Sequence, residues 1–184
     1  FIPGYAHKRV IEGQGTIGRE ILKQLPKVDW VIGALGGGGL MGGISSSAGN
    51  RKKRPLFIGV QSEHNSPMFE ALRRHPGQKR PDSKLKKTIA DGTLVTKKPN
   101  PAMEQLLRER LDVVVKVGEK RTERAVLELL DRTGLRIEGA GALPLAGLEQ
   151  ALKDLSRVRS LNKNIPRPKK VVLVLSGGNI DQSK

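Results

Sequence analysis

The chain has no cysteine, which removes disulfides, thiolate nucleophiles and Cys-ligated zinc or iron–sulfur sites together. That lack fits a reducing compartment, and a cytoplasmic location is expected. Aromatic residues are nearly as scarce, being only Phe1, Tyr5, Trp30, Phe57 and Phe69. Long apolar runs are missing too. The uncharged stretch from Trp30 to Asn50 is broken by glycines and by Ser45-Ser46-Ser47, so no membrane span is expected. His7, His64 and His75 are scattered without His-x-His or H-E-x-x-H spacing, and no metal site is expected. Glu63-His64 reads as a solvated loop pair rather than a ligand pair. No G-x-x-x-x-G-K-[ST] occurs, which excludes P-loop nucleotide hydrolysis, and Ser45 to Ser47 lack the G-x-S-x-G of a hydrolase elbow.

Acidic residues are in deficit. Against 34 Lys and Arg stand 18 Asp and Glu, for a formal charge of +16 over 184 residues. The excess gathers in Arg51-Lys52-Lys53-Arg54, in Arg73 to Lys87 and in Arg157 to Lys170. Clustered cations displace counterions from nucleic acid; a basic but merely solvated surface has the same composition. No aromatic lies inside those clusters, so base stacking has little to work with, and no zinc-finger, RRM or coiled-coil pattern is found. Nucleic acid is therefore a disfavoured partner.

What is present is an alternation of strands and helices. Trp30 to Leu35, Leu56 to Val60, Asp112 to Val117 and Val171 to Leu175 read as short apolar strands, the last as the most clearly buried. Helical stripes are expected at Ile17-Ile21-Leu22-Leu25, Leu40 to Gly49, Pro67 to Arg74, from Pro101 through Leu107, from a Thr122 cap through Leu130, and over Ala142 to Leu155. Pro76 to Lys87 reads as an exposed connection. Continuous apolar strands between amphipathic helices imply one α/β domain, an open and mostly parallel sheet with helices on both faces.

In such sheets ligands bind beyond the carboxyl ends of the strands. Two glycine-rich turns fall there: Gly36-Gly37-Gly38-Gly39, and Ser176-Gly177-Gly178-Asn179. Glycines let backbone N–H groups approach an anion, and a following helix start adds partial positive charge. One or two glycines would serve a tight turn; four in a row point to a phosphate ligand. Gly13-Gln14-Gly15-Thr16-Ile17-Gly18 is a literal G-x-G-x-x-G, yet its upstream strand could only be Arg9 to Glu12. The acidic residue expected after the next strand is absent, since Asp29 precedes that strand, so the match is weak evidence for a dinucleotide. Asp91 reads as a turn residue. Glu138, in Glu138-Gly139-Ala140-Gly141-Ala142, remains as a candidate acid.

Six segments in this order resemble the pyridoxal-phosphate-dependent threonine/serine dehydratases of the single-domain catabolic type. They are Gly13 to Gly18, Gly36 to Leu40, Gly59-Val60-Gln61-Ser62-Glu63, Thr88-Ile89-Ala90-Asp91-Gly92, Glu138 to Ala142, and Ser176-Gly177-Gly178-Asn179-Ile180-Asp181. The resemblance runs from Phe1 to Ser183 and implies the large cofactor-binding domain of a fold-type II enzyme, related to the tryptophan synthase β chain. It implies that Gly36, Gly37, Gly38, Gly39 and Leu40 hold the phosphate of pyridoxal 5'-phosphate. Ser176, with Gly177, would face the pyridine nitrogen, and Glu138 would lie close to the cofactor. The implied reaction takes water and ammonia from a small hydroxy amino acid, L-threonine or L-serine, leaving a 2-oxo acid. The family's S-x-K-x-R-G segment with its Schiff-base lysine has no counterpart here, so no catalytic residue is assigned and this chain alone is expected to be inactive. Gln61 and Pro67 replace carboxylates where some relatives bind a cation. Phe1, not Met, heads the chain, and it is expected to be the later portion of something longer, an incomplete domain over residues 1–184. It would then need its missing portion, a partner chain or a homo-oligomer. The alternative is a dehydratase remnant acting as a basic structural or RNA-associated protein.

Overall fold

The computed structural model describes residues 4–49, 53–73, 86–96, 98–159 (backbone only for 155–159) and 167–178. The elements are α1 (Lys8–Gln24), β1 (Trp30–Ala34), α2 (Gly39–Ser46), β2 (Leu56–Ser62), α3 (Pro67–Arg73), a 3-10 turn (Asp91–Thr93), α4 (Pro101–Arg110), β3 (Val113–Val117), α5 (Glu119–Thr133), α6 (Gly139–Arg159) and β4 (Val171–Val174). Most of the Pro76 to Lys87 connection, most of the basic clusters, and Asn179-Ile180-Asp181 lie outside the described residues.

All four strands are parallel, in the order β3-β2-β1-β4. Successive side chains on a strand point to opposite faces, and this separates two cores. Trp30, Ile32 and Ala34 join Ile58, Val60, Val115 and the α6 residues Ala142, Leu143 and Ala146. Val31 and Leu35 join Phe57 with Met41, Ile44, Met103 and Leu107 from α2 and α4. Both faces are covered, which is why these strands read as unbroken apolar runs. Two carboxylates set the register at the amino ends. Asp29 accepts N–H bonds from Lys169 at 2.7 Å and Lys170 at 2.8 Å, aligning β4 beside β1. Asp112 accepts both Arg54 guanidinium nitrogens, at 2.7 and 2.9 Å, and the Phe57 N–H at 2.8 Å, aligning β3 beside β2.

Four local expectations are corrected. The only candidate strand before the first glycine motif, Arg9 to Glu12, is helix, and Gly13 to Gly18 lies inside α1. Two of its three glycines, Gly15 and Gly18, serve helix packing instead: a β-carbon on Gly18 would lie 2.5 Å from the Ile44 carbonyl of α2. Thr122 does not cap α5. Gly118 holds the N-cap, and the Thr122 hydroxyl donates to the Gly118 carbonyl at 3.2 Å from within the helix. The first helical residue is Glu119, since Gly118 ends the β3 segment and an acid suits a helix start. Third, α6 begins three residues earlier than its apolar stripe, at Gly139. Small residues there carry little hydrophobic signal. The fourth is β4, which is not the most buried strand: Val171, Val172 and Leu173 are only partly buried and Val174 alone is buried. It is an edge strand with no neighbour on its outer side among the described residues.

Candidate functional site

The loop after β1 and the loop after β4 stand side by side because Gly33 pairs with Val174. Gly38, with φ +101, turns the first loop into α2, a backbone shape that side chains resist. Among the described residues no atom accepts a hydrogen bond from the N–H groups of Gly36, Gly37, Gly38, Gly39 or Leu40. Five unclaimed donors at the start of a helix form the kind of cradle an oxyanion fills. The glycines also have a packing role. A β-carbon on Gly36 would lie 3.1 Å from the Thr93 carbonyl oxygen, and one on Gly38 would lie 2.7 Å from Leu107. The Tyr5 ring covers Gly37, and the Tyr5 main chain covers Gly39 at 3.0 Å. Three separate segments thus pack against the loop.

Ser176 is half-buried and Gly177 exposed just beyond β4. Glu138 meets them from the start of α6: its N–H donates to the Gly177 carbonyl at 3.3 Å. Its side chain lies against Gly177 and Gly92, and a β-carbon on Gly92 would sit 3.1 Å from the Glu138 Oε1. That carboxylate has no hydrogen-bond or ion-pair partner among the described residues. The candidate residues Gly36 to Leu40, Glu138, Ser176 and Gly177 thus lie at one end of the sheet, around the carboxyl ends of β1 and β4. Ser45 and Ser47 belong elsewhere, their hydroxyls donating to helix carbonyls of Met41 at 2.6 Å and Ile44 at 2.7 Å.

The Thr88 to Thr93 segment joins these pieces. It supports Gly36 through Thr93, touches Glu138 at Gly92, and packs its Ile89 carbonyl where a side chain on Gly139 would be. Glu119, which sequence reasoning passed over, anchors it. Glu119 accepts Ser62 Oγ at 2.6 Å, Thr88 Oγ1 at 2.7 Å and the Ile89 N–H at 2.8 Å. His64, in the turn after β2 and still partly exposed, lies beside this cluster. Its Nδ1 lies 2.7 Å from the Lys87 carbonyl and 3.8 Å from Glu119 Oε1, because the turn after β2 folds it back toward Lys87. The one available signal for Glu119 was an acid directly after a strand-ending glycine. Gln61 is fully buried, its Oε1 accepting the Phe69 N–H at 2.7 Å while its Nε2 has no partner among the described residues. No three His, Asp or Glu side chains gather in a metal-binding group among the described residues.

Burial pushes the Glu119 carboxyl upward. Hydrogen bonds from Ser62, Ile89 and Thr88, with the nearby His64 charge, outweigh it and hold the carboxyl below its ordinary value of 4.5. The sign follows. A depressed folded-state value adds stability above the ordinary glutamate range and loses it as pH falls through the lower folded value. Urea titrations below pH 4.5 should show the parent losing stability faster than Glu119→Gln. Parallel pH curves for the two proteins would remove Glu119 as the anchor.

Against protein-family models, residues 1–177 match "Pyridoxal-phosphate dependent enzyme". The chain is 38% identical over 181 residues to the L-threonine ammonia-lyase of Thermotoga maritima, covering 98% of this chain and 41% of that protein. It is 38% identical to the L-threonine dehydratase catabolic TdcB of Escherichia coli K12, covering 100% of this chain and 52% of that one. Among solved structures, a threonine deaminase from T.th. superposes with a TM-score of 0.79 at 30% identity, over 98% of this chain and 62% of that one. The chain spans about half the length of these curated relatives, 41% of one and 52% of the other. No helix among the described residues is long and apolar enough to cross a membrane.

Proposed function

Because this chain belongs to the family of pyridoxal-phosphate dependent enzymes, we propose that it is the phosphate- and ring-binding portion of an L-threonine or L-serine ammonia-lyase. The observation that carries this reading is the convergence of four sequence-distant motifs, at residues 36–40, 88–92, 138–142 and 176–177, on one end of the sheet. The residues present fit the cofactor. The unclaimed N–H groups of Gly36 to Leu40 suit a phosphate dianion. Once bound, pyridoxal phosphate supplies the electron sink that lets an amino acid shed its α-proton and β-hydroxyl. Ser176 offers the ring nitrogen a hydroxyl; unlike a carboxylate it does not stabilise a charged ring, which limits the sink and favours prompt elimination. Glu138 presents a carboxylate able to accept a hydrogen bond or a proton beside that group.

None of the matching motifs contains a lysine, so the covalent attachment that such chemistry uses comes from outside them. The half-covered edge of β4 supports the same view: further polypeptide, a partner chain or a second copy completes the sheet there. A cytoplasmic location belongs to this proposal. With L-threonine, this chain alone should take up pyridoxal phosphate without turnover. Joined to the portion its relatives carry in addition, it should release 2-oxobutanoate and ammonia. A joined protein that binds the cofactor and still yields no 2-oxo acid from threonine or serine would remove the ammonia-lyase reading. The +16 charge favours a second reading, a basic RNA-associated protein. It requires co-purifying RNA and binding that falls steeply with salt; salt-independent absence of RNA binding ends it.

A further inference from the structure

Tyr5 is one of only five aromatic residues in the chain. The sequence motifs leave it unassigned, and it is only partly buried in a short segment ahead of α1. Its ring nevertheless lies face-on against Gly37. A β-carbon built there would be equidistant, at 2.5 Å, from the ring's Cδ1 and Cδ2, with Cγ as near. The same residue's Cα and Cβ stand 3.0 Å, and its carbonyl oxygen 3.1 Å, from a β-carbon placed on Gly39. One residue thus backs two alternate glycines of the loop. It also packs against the apolar core that contains Met41 of α2 and Leu107 of α4.

We propose that Tyr5 is a positioning residue for the phosphate cradle: its flat face holds the Gly36 to Gly39 loop with its N–H groups turned away from the protein and toward the ligand. The effect is entropic. Four consecutive glycines are the most mobile backbone a sequence can specify, and each must be ordered for its donor to count in binding. Thr93 orders Gly36 and Leu107 orders Gly38; Tyr5 orders Gly37 and Gly39. An aromatic ring does this well, because a glycine Cα can lie directly on its face at van der Waals distance. The phenol hydroxyl has no part in the role, which separates shape from hydrogen bonding.

This inference rests on the cofactor reading above, and the test keeps the two apart. Binding of pyridoxal phosphate and of inorganic phosphate to the full chain is measured by equilibrium dialysis, beside thermal melting. Tyr5→Phe should bind as the parent does. Tyr5→Ala and Tyr5→Leu should bind about tenfold more weakly, the scale of losing preorganisation in a loop that must then order on binding. Gly37→Ala should melt earlier than the parent, and adding Tyr5→Ala should recover most of that loss, because the clash partner is gone. Unchanged phosphate affinity in Tyr5→Ala overturns the proposal. Tighter binding in Tyr5→Ala also overturns it, since Tyr5 would then be an occluding plug. If the parent binds neither probe, the cofactor reading falls and the role of Tyr5 with it. Additive melting losses in the Gly37→Ala and Tyr5→Ala pair overturn the packing argument independently of any ligand.

Discussion

Gly43→Ala should be among the most destabilising single changes in this protein, at about 3 kcal/mol or more by urea unfolding, the upper range for overpacking a core. The reason is the α1–α2 crossing. A β-carbon on Gly43 would meet the Ile11 carbonyl, stand 2.6 Å from Gln14 Cβ and 2.8 Å from the Gly15 nitrogen. Two of those three atoms are backbone in the middle of a helix and cannot rotate aside. The helices would have to separate, and separation uncovers Met41, Ile44 and Leu22. Burial of such side chains contributes about 1.5–3 kcal/mol each. Gly18→Ala, facing the Ile44 carbonyl at 2.5 Å from the other helix, should show the same class of loss. Gly13→Ala is the control: nothing lies within 4 Å, and alanine is the better helix former there. If Gly43→Ala costs no more than Gly13→Ala, the close crossing is wrong.

Gly177→Ala should damage the candidate site most. At φ +113 an alanine is strained by about 1–3 kcal/mol. Its β-carbon would also fall on the Glu138 carboxylate, 2.8 Å from Cδ and 3.0 Å from Cγ. Glu138 is flexible enough to yield, so the fold should survive while the carboxylate leaves its place between Gly92 and Gly177. Pyridoxal phosphate affinity is expected to fall by about a hundredfold, about 2.7 kcal/mol on the affinity scale. The double variant Gly177→Ala with Glu138→Ala separates the two causes. Relief of the clash should restore part of the melting temperature and leave the backbone strain behind. Equal melting temperatures for parent and Gly177→Ala, with unchanged affinity, would show that neither cause operates.

Much of the architecture could be read along the chain because it is written in local pattern. Val113 to Val117 is β-branched and ends at a glycine, and it is a strand. Asn100-Pro101 starts α4 as such a pair should, with the Asn100 side chain accepting from Ala102 and Met103. The errors fall where local pattern is silent or ambiguous. An edge strand and a central strand share one composition, so the exposure of β4 could not be seen in Val171 to Leu175. A glycine motif in a loop and one at a helix crossing share one spelling, so Gly15 and Gly18 proved to be packing positions. Glu119 was invisible because its partners, Ser62 and Thr88, lie 57 and 31 residues away.

At the outset the absences in composition narrowed the chemistry: no thiol, no clustered histidine and no long apolar run. With the ordered motifs they determined by themselves the α/β class and the family. A backbone's local shape is encoded by the residues that adopt it. The tertiary structure alone decided what the glycines are for. A missing side chain records a neighbour, and that neighbour is remote in sequence: Thr93 and Tyr5 for the tetraglycine loop, Ile11 and Gly15 for Gly43, Glu138 for Gly177. Contacts of that kind exist only once the sheet has brought the loops together.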